Sequence, residues 1–477
     1  MIPMRLRLAV LWFSLLSSWA LPVHAFHTWK KETLPNGMTL LVVEKADVPA
    51  VSLTLLVKHG TTSEPVDKNG VATLTARLLK EGTRRWSSEQ IAERIATVGG
   101  EFVEDIHFDY TTFDWAVLKE DVAPALELLA DVVQHPLFSS GAVERARTAA
   151  IATRQAETEE TPEALLLRYL FATGPYGRSP LGEVAALERI TRADVVRFHQ
   201  QMYHPREVIL AAAGDVSLEK LKALATQYFA DWSPPEKAGA ALSAVSVRKE
   251  AAVLVLDRPL VQSEVRLVFV GAPAASPDAP ALLLLSYLLG GSADSRLGQN
   301  LRERKRWVYS AQCVAEPFRQ TGLFYIDLSV PYEVIVPALQ EAVHEIVRLR
   351  TELVSVAELT RAKQNLSARL TFAVEQVRDI ARLVAEHEAY THGQERPDHI
   401  VQALGSVSAD DIQRVARQYL DPRKAVVSVV GDRQALEKFA PALAAGKLPQ
   451  WSPPGDGTQS TWATPGAISG ANEGRIP

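Results

Sequence analysis

Hydrolytic metal centres draw on imidazoles and carboxylates, and the one dense group of them in this chain is Glu386, His387, Glu388, His392 and His399. Two histidines four apart on a helix lie on one face and share an ion. His387 and His392 are five apart, a turn and a half, which splays them, and a polar helix carrying His and Glu needs no metal. A second chemically loaded stretch is Leu301-Arg302-Glu303-Arg304-Lys305-Arg306-Trp307-Val308-Tyr309-Ser310. By residue type alone it reads as a solvated basic helix face that ends in a core aromatic at the start of a strand. A third is Gly70 to Thr83, where Val71, Leu74, Leu78 and Leu79 repeat at helical spacing and Gly82 is a natural stop. The pattern predicts a short buried helix.

The words around that helix, Lys68-Asn69-Gly70-Val71-Ala72 before and Leu78-Leu79-Lys80-Glu81-Gly82-Thr83 after, resemble the pitrilysin/insulinase family of zinc peptidases. In that family the helix carries H-x-x-E-H, two zinc-binding imidazoles and a Glu that takes a proton from the zinc-bound water. The resemblance places the three motif positions on Thr73, Ala76 and Arg77. Ala76 has no donor atom, Thr73 is a poor zinc ligand, and Arg77 carries a permanent cation. The third ligand, placed through Val143-Glu144-Arg145 and Gln155-Ala156-Glu157, falls on Thr153, with Ala149 and Ala150 as neighbouring registers, and none is a carboxylate. The resemblance therefore implies a non-catalytic relative that binds no zinc itself.

The same resemblance gives the second stretch another meaning. Arg302 and Tyr309 match the family's substrate-binding arginine and tyrosine, whose guanidinium and phenol hydrogen-bond substrate carbonyls and help stabilise the developing oxyanion. Gly99-Gly100-Glu101-Phe102-Val103-Glu104 keeps the glycines of the first domain's edge-strand region but lacks the Asn-Ala usual in active members.

The elements that must position these residues come from the rest of the chain. Residues 1–25 have Arg5 and Arg7, an apolar run from Leu8 to Leu21 and the small-residue site Val23-His24-Ala25, the pattern of a secretory signal peptide cut after Ala25. The expected destination is the periplasm or the exterior. Of 51 basic and 56 acidic residues, 49 and 56 remain after that cut, taking the formal charge from −5 to −7. Such mild acidity gives no reason to expect a nucleic-acid partner. Beyond the leader the most apolar run, Ala279 to Leu289, is too short to span a bilayer. The single cysteine, Cys313, excludes an internal disulfide.

Two halves repeat. Asp194 and Asp411, Pro205 and Pro422, and Gly214 and Gly431 are each 217 apart, within matching words such as Ala213-Gly214-Asp215 and Val430-Gly431-Asp432. The expected organisation is a peptidase-like domain over 26–233, a linker over 234–243, a second such domain over 244–454 with the Arg/Tyr motif, and a disordered tail over 455–477. Strands at both ends of each unit and helices such as 122–133, 139–157 and 334–353 between them predict an α+β fold. It comprises two homologous sandwich domains, each with its own core and a mostly antiparallel sheet covered by helices on one face. The resemblance adds that the pair forms half of a clamshell.

Some bacterial members of the family are heterodimers, one chain with H-x-x-E-H and the other keeping Arg and Tyr. This sequence has the second profile. The resemblance implies a substrate-binding subunit that closes over a homologous H-x-x-E-H-bearing subunit, with peptide substrates, zinc in the partner, and peptide held partly by strand addition to a sheet edge. A peptide-binding or scaffold protein without hydrolysis, and an active metallopeptidase with a rebuilt metal site, are the alternative readings.

Overall fold

In a computed structural model, residues 29–156, 161–172, 174–235, 244–373, 377–391, 397–449 and 468–469 are described. The leader read over 1–25, most of the linker and His392 lie outside them, as do the side chain of His399 and most of the tail.

Six strands build the first sheet: β1 (Lys30–Thr33), β2 (Thr39–Glu44), β3 (Ala50–Val57), β4 (Phe102–Ile106), β5 (Thr111–Leu118) and β6 (Val208–Gly214). Their spatial order is β1-β2-β6-β3-β5-β4, and only the β2–β6 pair is parallel. The second sheet repeats the plan with β7 (Ala252–Asp257), β8 (Ser263–Gly271), β9 (Ser310–Pro317), β10 (Gly322–Val330), β11 (Val426–Gly431) and β12 (Ile468–Ser469). Its order is β12-β7-β11-β8-β10-β9, with β7–β11 parallel as β2–β6 is. The first of the Gly-Asp words has a backbone cause: Gly214 has φ of 129°, and a Cβ there would sit 2.1 Å from the Ala50 carbonyl of β3. Only glycine ends β6 so close to its neighbour. Two residues of the expected tail, Ile468–Ser469, are paired as strand β12 with Leu254 and Val255.

In the first half the helices are α1 (Val71–Leu78), α2 (Ser88–Val98), α3 (Val122–Gln134), α4 (Ser140–Ala156), α5 (Pro162–Phe171), α6 (Val184–Leu187), α7 (Arg192–Met202) and α8 (Leu218–Phe229). The second half has α9 (Ala279–Gly290), α10 (Ile335–Thr351), α11 (Val356–Ala373), α12 (Val377–Thr391), α13 (Pro397–Ser406), α14 (Ala409–Tyr419), α15 (Arg433–Phe439) and α16 (Pro441–Ala444). Sequence signals end several of them: Ser87 and Gln90 form a capping box at α2, as do Thr191 with Asp194 at α7 and Ser408 with Asp411 at α14.

Strand residues alternate between two apolar faces. Leu40, Val42, Leu210 and Ala212 pack under the first half's own helices, while Leu41, Val43, Ile209 and Ala211 face the other way. Helices on one face cannot cover both sets. The second face is closed by α12 from the other half, through Ile380, Ala381, Val384, Ala385 and Ala389. Reciprocally, α5 of the first half lays Leu165, Leu166, Leu170 and Phe171 on Ala252, Leu254, Val268 and Val426 of the second sheet. The expected one-faced sandwiches are thus two-faced, and the halves exchange a helix. Among the described residues no helix is long and apolar enough to cross a membrane.

Candidate functional site

The helix expected over Gly70 to Thr83 is α1, held by a residue that motif reading passes over. Glu64 is buried, and its carboxylate accepts from Gly70 N (3.0 Å), Ala72 N (2.8 Å) and Asn69 Nδ2 (2.8 Å). It caps the helix from outside. Its signal in the sequence is faint, an acid six residues upstream of a glycine. Burial raises its pKa to about 7 against the lowering effect of those three donors.

The sign of the consequence is fixed. Between the unfolded value near 4.5 and about 7 the native state binds more protons than the unfolded one, so Glu64's contribution to stability is present below that window and lost as pH rises through it. His59, lowered to about 3, and His199, lowered to about 4, both chiefly by burial, act oppositely and lose stability as pH falls below about 6.5. Subtracting Glu64→Gln from wild type isolates the first effect. Urea unfolding from pH 4.5 to 7.5 is expected to show wild type losing about 3 kcal/mol relative to the variant across the window, and parallel profiles would contradict it.

On α1 the motif positions are placed but chemically unfit for a metal. Thr73 is buried and its Oγ1 donates to the Pro180 carbonyl at 2.6 Å; Ala76 is fully buried; Arg77 is exposed at the last turn. α4 packs against α1, and on it Thr153 and Ala149 are exposed and Ala150 is half-buried. One hydroxyl already committed, a methyl, a guanidinium and a second hydroxyl do not fit a zinc ion. Among the described residues no group of three or more His, Cys, Asp or Glu could hold one.

The His/Glu stretch is split by its helix. Glu386 accepts from Tyr110 Oη and Arg382 Nε, both at 2.9 Å, Glu388 accepts from Lys31 Nζ at 2.5 Å, and His387 packs edge-on to Trp29 with centroids 5.7 Å apart. These residues tie α12 to the first sheet. Arg382 reinforces them through Asp105, at 2.6 Å.

Arg302 and Tyr309 stand differently from their basic surroundings. Arg302 lies in a wide-turn π-helix, Gly298–Arg304, and Tyr309 leads into the edge strand β9. The buried residues that immediately precede them, Leu301 and Val308, anchor the segment in the second core, and Arg306 turns the chain between them at φ of 55°. Lys305 is committed to Glu341 (2.6 Å) and to the Trp307 ring (4.4 Å), and Arg304 to the Gln299 carbonyl. The Arg302 side chain is 55% exposed, its one ion-pair contact among the described residues being Glu303 at 3.9 Å, and Tyr309 is 80% exposed, its backbone N–H donating to Ser329 O. Tyr309 is therefore no core aromatic: its phenol faces outward. In the first half β4 is one of the two edge strands, and Gly100 before it (φ of 73°) lets the chain pass where a Cβ would meet Ala116 O at 2.1 Å.

The junction between the halves was not signalled by any motif. Asp109, fully buried, accepts from Tyr176 Oη (2.8 Å) and from the backbone N–H of Arg319 in the β9–β10 turn (2.7 Å), with Thr62 and Tyr390 hydroxyls at 3.4 and 3.5 Å. Arg319 Nη2 donates to the carbonyls of Lys58 and Asp109, and Phe318 stacks on Tyr176 with centroids 5.0 Å apart.

Known proteins resemble this chain in sequence and in fold. Residues 40–182 match the model of "Insulinase (Peptidase family M16)" and residues 189–366 that of "Peptidase M16 inactive domain". The chain is 25% identical over 390 residues to a zinc protease of Rickettsia felis described as uncharacterized, covering 81% of this chain and 93% of that one. It is 26% identical over 424 residues to a probable mitochondrial-processing peptidase subunit beta of Arabidopsis thaliana, covering 85% and 79%. Among solved structures, a protease from Helicobacter pylori superimposes with a TM-score of 0.76 at 22% identity, over 84% of this chain and 99% of that one. A peptidase M16 inactive domain from Pseudomonas fluorescens gives 0.73 at 23%, over 85% and 98%, and both likenesses speak to the fold.

Proposed function

Since the chain belongs to the insulinase (M16) peptidase family, we propose that it is a non-catalytic, substrate-binding subunit of a periplasmic or secreted zinc peptidase. It pairs with a homologous chain that bears H-x-x-E-H, and hydrolysis is the partner's. The observation that carries this reading is a contrast within one molecule. Thr73, Ala76, Arg77 and Thr153 offer no zinc donor set, while Arg302 and Tyr309 are held outward at the mouth of an edge strand. A guanidinium and a phenol in that position present hydrogen-bond donors to the carbonyls of an extended peptide, and the open side of β9 offers backbone groups for strand addition. A relative that is itself one subunit of a processing peptidase supports an assembled form.

The test is turnover of a quenched fluorogenic peptide by this chain, by its H-x-x-E-H relative from the same source, and by the two mixed. Turnover in the mixture well above the sum of the separate chains is expected. Zinc-dependent turnover by this chain alone would overturn the reading.

A further inference from the structure

One end of the second sheet is left open by the exchanged helix, and its residues are polar. On the face that α5 covers, Val268, Leu254 and Val426 lie under the helix, but beyond its first turn the same face continues as Glu264 and Arg266 on β8, Asp327 and Ser329 on β10, Ser428 on β11 and Ser310 on β9. Strand alternation puts all six on one side. They and the start of α5, including Glu163, enclose a pocket of about 380 Å³. Ser310 is the residue after Tyr309, and the Tyr309 N–H bonds to Ser329, so the pocket adjoins the proposed peptide site.

Its charges decide what it can hold. Arg266 is neutralised by a two-point pair with Asp327 (2.5 and 3.0 Å) and rests on the Tyr325 ring at 4.5 Å. Glu163 and Glu264 remain, both exposed and lining the pocket, with no further cation among the described residues of its wall. The Ser428 hydroxyl, 2% exposed and lining the pocket, has no hydrogen-bond partner and is free to bond a ligand. The α5 N-terminus does not reverse the preference. Pro162 has no N–H, Thr161 Oγ1 takes the Ala164 N–H at 3.1 Å, and Glu163 stands in the first turn. The Ser428 hydroxyl can donate or accept and does not discriminate, so the charges decide: an anion would meet two carboxylates left without a matching cation, whereas a cation meets those carboxylates and hydroxyl oxygens.

We propose that this pocket receives the side chain of a lysine or arginine of the bound peptide, so that the subunit selects basic peptides beside Tyr309. The inference rests on the reading that Arg302 and Tyr309 bind peptide. The probes are fluorescein-labelled twelve-residue peptides of Ala, Ser and Gly, each with a single central Arg, Lys, Gln or Glu, titrated into the full chain by fluorescence anisotropy. Arg and Lys peptides are expected to bind about tenfold tighter than the Gln peptide, as a partly desolvated charge pair allows, with the ratio shrinking as salt rises. In E163Q/E264Q the ratio falls to about one, and Tyr309→Ala weakens all four peptides. Equal binding of Arg and Gln peptides, with Tyr309→Ala still weakening both, would overturn the pocket and leave the peptide site standing. Binding of no peptide at all would overturn both.

Discussion

Asp109→Ala is expected to lower the unfolding free energy by about 3 to 5 kcal/mol, the range for removing one member of a buried charged network. The carboxylate is fully buried and is the common acceptor for Tyr176 Oη and the Arg319 backbone N–H. Alanine leaves both donors without a partner in a buried site. The loss is not local. Arg319 comes from the β9–β10 turn of the second half, while Asp109 and Tyr176 belong to the first, and the Phe318–Tyr176 stack lies alongside. Urea unfolding followed by tryptophan fluorescence measures it. A change below about 1 kcal/mol, the net worth of one ordinary hydrogen bond, would show that the junction does not depend on this carboxylate.

The same junction marks where sequence reading stopped. Periodicity and the constant spacing of 217 gave both sheets, the helix at α1 and the similarity of the halves, because those are local signals or repeats of them. What they could not give is which half a helix covers. The information was present in another form: Leu40-Leu41-Val42-Val43 and Val208 to Ala213 are apolar at every position, and a strand apolar on both faces needs cover on both. A one-faced sandwich leaves Leu41, Val43 and Ile209 in water, so the run itself argued for a second layer. Its source, α12, reads as an ordinary amphipathic helix with an acidic and histidine-rich tail. Only the fold shows that Glu386 and Glu388 reach Tyr110 and Lys31 rather than a metal.

At the candidate site the balance differs. Once the resemblance places the motif on Thr73, Ala76 and Arg77, their lack of a zinc donor set is legible from residue identity. The exposure of Tyr309 was not, because an aromatic before a strand is as often a core residue as a surface one. Burial of Leu301 and Val308 decides it, by fixing which way the chain between them points. Glu64 escaped notice for a related reason: a capping carboxylate that acts across six to eight residues has no short spacing rule to reveal it.

In the assembly proposed above, Arg302→Ala combined with Tyr309→Phe is expected to lower kcat/KM by about a hundredfold, the scale of removing a donor aimed at a developing oxyanion. Both side chains are largely exposed, so melting of the isolated chain should not move, and that control separates chemistry from folding. The division between the two kinetic constants then says what the pair does. Donors that hold peptide carbonyls equally in the ground and transition states raise KM and leave kcat alone. Donors that engage the oxygen only as negative charge develops on it lower kcat with KM nearly constant. Tyr309→Phe removes a single hydroxyl and keeps the ring, so a kcat effect in that variant alone would place the phenol at the reacting carbonyl. An unchanged kcat/KM in the double variant would mean that the two side chains face solvent without function, and the subunit's contribution would then have to come from the open edge of β9.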